Sequence, residues 1–305
     1  MDISNITYDE YSAWRQGPMF HLSGTPADIC TNSTLEQECN TITVNGLKIQ
    51  SPALLPTCVG ALIIGLYCGY KTYQMKTRGR LMYAITFAMT GVMMTFAGIY
   101  DCILPHWGNP HNNIHNFFGI VDVGLTSSIG LAFFFDALID AGIIKDTNPN
   151  TLRAYALGMC LIFWGWIKTF YGGWELGFLI MYMVIVALGC GSWVIIQLFL
   201  IIWKEDWRGF RYFVIAGLSG GFGFYSLLDV RLQRWICEHF SCYYATDFIW
   251  FVVTDIAIWY IYLYYKIRAE PEPSNKKNNF VQANIELGIP ANQQDRVPFV
   301  QDMSN

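Results

Sequence analysis

Seven apolar runs set the pattern of the chain, near residues 53–73, 81–104, 116–144, 152–171, 176–203, 210–229 and 248–266, with short polar turns between them. A helix rises 1.5 Å per residue, so roughly 20 apolar residues are needed to cross about 30 Å of hydrocarbon. Every run reaches about that length, which predicts an all-α integral membrane protein, a seven-transmembrane-helix bundle. The third and fifth runs exceed the minimum and predict tilt or protruding ends. Residues 1–52 form a polar segment ahead of the bundle, 53–268 the membrane domain, and 269–305, rich in Asn, Gln and Pro, a disordered tail. No internal repeat and no soluble second domain stands out.

Composition agrees: 53% of the 305 residues are hydrophobic, 16% aromatic and only 14% charged. The formal charge of −4 implies no nucleic-acid partner. Basic residues then orient the spans. Lys71, Lys76, Arg78 and Arg80 flank the first turn, Lys145 and Arg153 the third, Lys204, Arg208 and Arg211 the fifth, and Lys266 and Arg268 the end of the last run. By the positive-inside rule these segments face the cytosol, so the N-terminus is expected to be lumenal and the C-terminus cytosolic. The sequons at Asn5 and Asn32 fall in the same N-terminal segment and predict glycosylation there, a second signal for one topology. No apolar stretch precedes residue 53, so the first membrane helix is expected to do the targeting. Of nine cysteines, Cys30, Cys39, Cys237 and Cys242 fall on the lumenal side, where disulfides persist; Cys30 with Cys39 and Cys237 with Cys242 is the simplest pairing, the others staying open. Cys68, Cys102, Cys160 and Cys190 lie inside the runs and read as small packing residues.

The topology gives each ionisable residue a depth. Asp101 closes the second run, Asp122 opens the third, Lys168 closes the fourth, Glu175 opens the fifth, Asp229 closes the sixth, and Asp255 lies about two turns into the seventh. All fall in the lumenal half. A charge inside hydrocarbon costs a few kcal/mol on insertion scales, so such groups face the bundle interior and mark a functional pathway. Carboxylates within a turn of a helix end can also simply reach the interface, a reading that fits Asp101, Glu175 and Asp229 better than Asp255, which has Trp250, Phe251, Trp259 and Tyr260 around it. Asp136 and Asp140, at the cytosolic end of the third run, are expected at the interface. The stretch at 98–124 also holds His106, His111 and His115. His111 and His115 have metal-ligand spacing, but His111 follows Asn109-Pro110 in a loop, so a solvated loop, or a lid carrying one general base, is expected and no metal. There is no G-x-S-x-G elbow, no phosphate-binding loop, no H-E-x-x-H and no acidic magnesium-diphosphate cluster. Lys266 sits too near the helix end for a retinal Schiff base.

Tyr83, an apolar run, Tyr100 and Pro105, a short loop and IVDVG at 120–124 resemble the second and third helices of the small integral-membrane terpene cyclases of fungal meroterpenoid and indole-diterpene pathways. Arg208-Gly209 and VTDIAIWYIYLYYK at 253–266 are similar to the same family's sixth-helix start and last helix. The resemblance spans roughly residues 80–268. It implies a seven-helix enclosure in which a carboxylic acid protonates an epoxide or terminal olefin of a prenylated substrate and starts cation cyclisation, without a cofactor. The family's last-helix acid maps onto Asp255. Its tryptophan–glutamate pair in helix two falls on Phe96-Ala97, a departure for which Asp101, one turn further on the same face, is the replacement acid.

The residues suit that chemistry. An apolar, ring-lined setting is what a carboxyl general acid needs, and aromatic faces stabilise a cation by about 0.5–2 kcal/mol each without quenching it. Asp255 and Asp101 are the expected acids, and Asp122 and Asp229 the groups that orient them or take up the final proton. Trp250, Trp259, Tyr100, Phe96 and Tyr260 are the expected substrate lining. Residues 105–116 and 230–247 would form a lid that excludes water. The expected partners are a prenylated lipophilic substrate and membrane lipid, with a prenyltransferase and an epoxidase as functional neighbours, and the expected location is the endoplasmic reticulum. Two other classes compete. A seven-helix receptor would explain the glycosylatable N-terminus and the lumenal cysteines, but 136–146 reads DALIDAGIIKD where an Asp-Arg-Tyr triplet belongs. A ceramidase-like zinc hydrolase would need three histidines and an aspartate from different helices, whereas His106, His111 and His115 crowd one loop.

Overall fold

Small residues at alternating three- and four-residue spacing decide how the first helix is used. In α1, Leu54–Gln74, the buried face runs Leu54, Cys58, Ala61, Gly65, Cys68 and Thr72, the spacing of one helical stripe. The computed structural model to which it belongs describes residues 41–50, 52–103, 113–172, 177, 179–228 and 248–270. Six more helices follow among these: α2 Arg80–Gly98, α3 Asn113–Asp140, α4 Pro149–Gly172, α5 Ile185–Lys204, α6 Phe210–Leu228 and α7 Phe248–Ala269. They coincide with the seven apolar runs. Five segments, Leu54–Gln74, Arg80–Gly98, Asn116–Asp140, Ile180–Lys204 and Phe248–Ala269, are long and apolar enough to cross a membrane. The outer surface matches: Ile63, Leu161, Ile195 and Phe199 are each more than half exposed, an apolar coat that suits hydrocarbon better than water.

Packing runs from α4 to α3, from α3 to both α2 and α5, and from α2 through α1 and α7 to α6. Two crossings depend on glycine. A Cβ on Gly65 of α1 would lie 2.6 Å from the Phe87 carbonyl oxygen of α2, and one on Gly189 of α5 would overlap the Gly130 carbonyl oxygen of α3. Small residues let helix backbones touch where lipid supplies no hydrophobic drive between helices. Several helix hydroxyls look after themselves: Thr90, Thr126, Ser128 and Thr169 each donate to the carbonyl four residues back, so none of these four adds an unmet polar group.

The ends show local chemistry that the apolar runs conceal. The third run continues to 144, yet α3 stops at Asp140. Gly142, with φ +87°, takes a left-handed turn in which Gly142 N donates to Ile139 O and Ile143 N to Leu138 O, a Schellman stop. Asn148 then caps α4, accepting from Asn150 N at 3.0 Å with Pro149 as first helical residue. The second run leaves the α-helix at Gly98 and continues as a π-helical turn, Ile99–Ile103; another, Leu179–Val184, leads into α5. The N-terminal segment contributes structure of its own, a hairpin of β1, Thr41–Val44, and β2, Leu47–Gln50, in antiparallel register. Its turn is Asn45-Gly46 with φ +52° and +83°, the two positive values that a type I′ hairpin turn requires. Ile49 of β2 packs on the core, and β2 lies against the Ile99–Ile103 turn. The turns 75–79, 141–148 and 205–209 gather at the opposite end, joined by contacts such as Arg78 Nη2 to Ile144 O at 2.9 Å and Arg208 Nη1 to Glu270 O at 3.1 Å.

Gly189→Ala should destabilise the detergent-solubilised protein by about 1–3 kcal/mol through overpacking. Gly191→Ala, where a Cβ would meet nothing within 4 Å, should leave the melting temperature equal or slightly higher. Thermal unfolding of the two variants side by side checks the crossing.

Candidate functional site

Asp255 lies on the α7 face that also carries Trp259 and Tyr262, at spacings of four and seven residues. That face meets α1. Asp255 Oδ2 is 3.9 Å from where a Cβ of Gly60 would be, and one to two turns further along, the Tyr67 ring lies 6.2 Å from both Trp259 and Tyr262. The carboxyl is half-buried. No hydrogen bond or ion pair engages it among the described residues. Behind it sits Cys58 of α1, buried, pressed against Gly98 of α2 and within coulombic reach of both Asp255 and Asp122. Acids from α3 and α7 thus both lie within electrostatic range of one small α1 side chain. Asp122 is half-buried one turn beyond Phe118 and Gly119, where Phe96 packs on Phe118 at 5.3 Å and Tyr100 lies against Gly119.

Other expected members separate from this group. Trp250 packs against Gly223 of α6, and Tyr260 packs on Tyr212 of α6 at 5.9 Å. Both stand five residues from Asp255, and five residues is about 140° off the same helix face. They belong to the α6–α7 contact. Lys168 is exposed on α4 with its ammonium 5.9 Å from the Trp164 ring, so it faces outward and not into a shared polar rim. Cys160 is likewise exposed, whereas Cys68 and Cys102 are buried packing residues. Asp101 is placed in the Ile99–Ile103 turn and His115 on α3, but the side chains of both lie outside the described residues. So do Asp229, Glu175, His106, His111, the sequons at Asn5 and Asn32, and the four paired-cysteine candidates.

The largest polar assembly among the described residues lies at the turn end and refines an expectation. Asp136 and Asp140 both turn toward neighbouring helices: Asp136 is fully buried, and the half-buried Asp140 is held by donors from two of them. Tyr83 of α2 donates its hydroxyl to Asp140 Oδ2 at 2.6 Å and accepts from Trp193 Nε1 of α5 at 2.6 Å. Gln197 Nε2 of α5 donates to the same carboxylate oxygen. Gln197 Oε1 accepts from Tyr264 of α7 at 3.0 Å and from Arg268 Nη1, which also donates to the Tyr264 hydroxyl at 2.8 Å. Arg268 Nε stands 3.9 Å from Asp206, itself gripped by Arg208 at 2.9 and 3.0 Å. Asp136 accepts from Thr86 at 3.0 Å through Oδ2, while its Oδ1 is buried with no partner. Hydrogen bonds from Arg208 hold the Asp206 carboxyl below the usual carboxylate range, against partial burial. One signal for this assembly was present: Gln197 is the only amide in an otherwise apolar α5, and such a residue faces the bundle interior.

No protein-family model, curated protein or solved structure matches this chain.

Tyr83→Phe should cost about 1–3 kcal/mol, since it leaves the buried Trp193 N–H and one Asp140 contact unmet. The exposed Tyr73→Phe should change nothing, and thermal unfolding separates the two. Because the folded Asp206 carboxyl is depressed, the Arg208 clamp contributes above the ordinary aspartate range and loses its contribution as pH falls through the folded value. The melting-temperature gap between wild type and Arg208→Gln should therefore be constant from neutral pH down to about pH 5 and shrink below about pH 4.

Proposed function

We propose that the chain is a seven-spanning integral membrane enzyme of the endoplasmic reticulum, N-terminus lumenal and C-terminus cytosolic, that cyclises a prenylated lipophilic substrate by carboxylic-acid protonation, as a terpene cyclase. One observation carries the reading: among the described residues Asp255 has no hydrogen-bonding partner, in a bundle that elsewhere ties its half-buried Asp140 to donors from two helices. An acid left free within an apolar seam is available to a ligand. Asp122, within electrostatic range of the same Cys58 as Asp255, provides the second carboxyl. Rings of Trp259, Tyr67 and Tyr262 on one side and of Phe96 and Phe118 on the other supply faces for cationic intermediates.

The step balances without an oxidant or co-reactant. The Asp255 O–H bond breaks and its proton goes to the epoxide oxygen or the terminal olefin carbon. The C–O bond opens, or the alkene π pair is consumed, and a carbocation forms. Successive alkene π pairs close the rings. The last cation then loses a proton to Asp122, so the product is an isomer of the substrate, and the two carboxyls exchange the proton before the next turnover. General acid catalysis contributes about 10²–10⁴-fold.

A seven-helix receptor is the second reading, favoured by the assembly that joins α2, α3, α5 and α7 at the turn end, where a receptor would couple to a partner. Agonist-dependent guanine-nucleotide exchange by the reconstituted protein is the result that would support it.

Asp255→Asn should lower conversion of an epoxy-prenyl aromatic substrate by about 10²-fold or more, with expression and melting temperature retained, and Asp255→Glu should recover part of it. Product quantified by mass spectrometry from membranes of an expressing host checks this. Near-normal turnover by Asp255→Asn removes Asp255 from the mechanism.

A further inference from the structure

Helix α1 presents three sectors. Cys58, Ala61 and Gly65 are buried toward α2, Val59 and Ile63 are exposed on the outside, and Gly60 and Tyr67 stand between them, against α7. The α1–α7 seam is therefore a boundary between the bundle interior and its apolar exterior. Among the described residues, a Cβ built on Gly60 at the level of Asp255 would have one neighbour within 4 Å, the Asp255 carboxyl itself. One to two turns further along, the seam is closed by the rings of Tyr67, Trp259 and Tyr262, and the sill they make reaches the surface, with Tyr67 46% exposed. On the inner side lies the buried Cys58.

We infer that a lipophilic substrate reaches Asp255 sideways out of the bilayer, through the α1–α7 seam at Gly60, with Tyr67 and Trp259 as the sill beneath the opening; this rests on the function proposed above. The surface around the opening is hydrocarbon-like, so it admits a long flexible apolar chain and turns away a soluble polar one. The first polar group such a chain meets is the Asp255 carboxyl. A weakly basic epoxide oxygen or alkene near the leading end of an isoprenoid chain is then placed against the acid, while the trailing end remains in lipid. Gly60 becomes the specificity-determining position, since its missing side chain is the aperture.

Carbodiimide labelling tests the route without depending on turnover. The full chain in phosphatidylcholine nanodiscs is treated between pH 5 and 8 with dicyclohexylcarbodiimide, which partitions into lipid, or with a water-soluble carbodiimide, and the Asp255 peptide is quantified by mass spectrometry. The route requires an Asp255 adduct with the lipid-soluble reagent about tenfold over the water-soluble one, and suppression of that adduct by farnesol. Gly60→Leu should reduce labelling about fivefold or more, whereas Gly60→Ala, whose methyl makes only ordinary contact at 3.9 Å, should stay within about twofold of wild type. Should Gly60→Leu not yield folded protein, Tyr67→Ala, which lowers the sill, carries the test by raising the labelling rate. Equal labelling by the two reagents, no adduct at any pH, or indifference to both substitutions overturns the route. The proposed cyclisation fails separately, by absence of product from a chain whose Asp255 labels as described.

Discussion

A carboxylate drawn into an apolar bundle must find donors, and the half-buried Asp140 finds them on two helices at once. An unmet charge of this kind costs several kcal/mol, so arrangements of the bundle that withdraw the Tyr83 hydroxyl or the Gln197 amide are disfavoured together. Tyr83 is in turn fixed by Trp193, and Gln197 by Tyr264 and Arg268. The rotational settings of α2, α3, α5 and α7 are thereby coupled. Since van der Waals packing between smooth apolar helices discriminates poorly among rotations, these hydrogen bonds are what select one. Tyr265, donating to Arg78 O at 2.8 Å and accepting from Thr77 at 2.8 Å, adds the α1–α2 turn to the same lock.

The consequence reaches the other acid. Asp255 stands about three turns from Tyr265 on one rigid helix, so its direction follows from how Tyr264, Tyr265 and Arg268 are held. The assembly at the turn end orients the carboxyl that faces Gly60. Binding and positioning groups on one helix are separated along its length: Tyr264, Tyr265 and Arg268 near the C-terminal end of α7 make hydrogen bonds to other helices and turns, and Asp255 makes none among the described residues. That division distinguishes two half-buried acids in one protein, Asp140, whose hydrogen bonds hold the fold, and Asp255, which no described residue engages.

The seven helices were readable because apolar length is a strong signal, and their extents agree with the runs to within a few residues wherever no turn chemistry intervenes. Where turn chemistry does intervene, as at Gly142, the apolar run overshoots, since hydropathy is blind to a left-handed glycine. The Thr41–Gln50 hairpin was equally readable from Asn45-Gly46 between alternating residues, but a polar segment with sequons draws attention to its composition instead. The inward setting of Asp136 and Asp140 was hidden for a different reason. Depth along a helix says how far a residue is from the interface, and nothing about whether it faces lipid or a neighbour; that needs the partner's Tyr83 and Gln197, which are far away in sequence. For Trp250 and Tyr260 the helical period itself was sufficient to place them off the Asp255 face.

Cys58 connects the two halves of the candidate site, and its size explains why both can exist. It fits beside Gly98, where a Cβ would stand 2.7 Å from its sulfur, so α1 and α2 approach closely at this level and draw α7 and α3 in on either side. A larger α1 residue would part α1 from α2, and a smaller one would leave a void at their crossing. A weakly polar, compact thiol fills that place without adding a strong hydrogen-bonding group to the site. An acid that gives a proton and a base that receives one must hold different protonation states, and Asp255 on α7 and Asp122 on α3 belong to different helices with different surroundings.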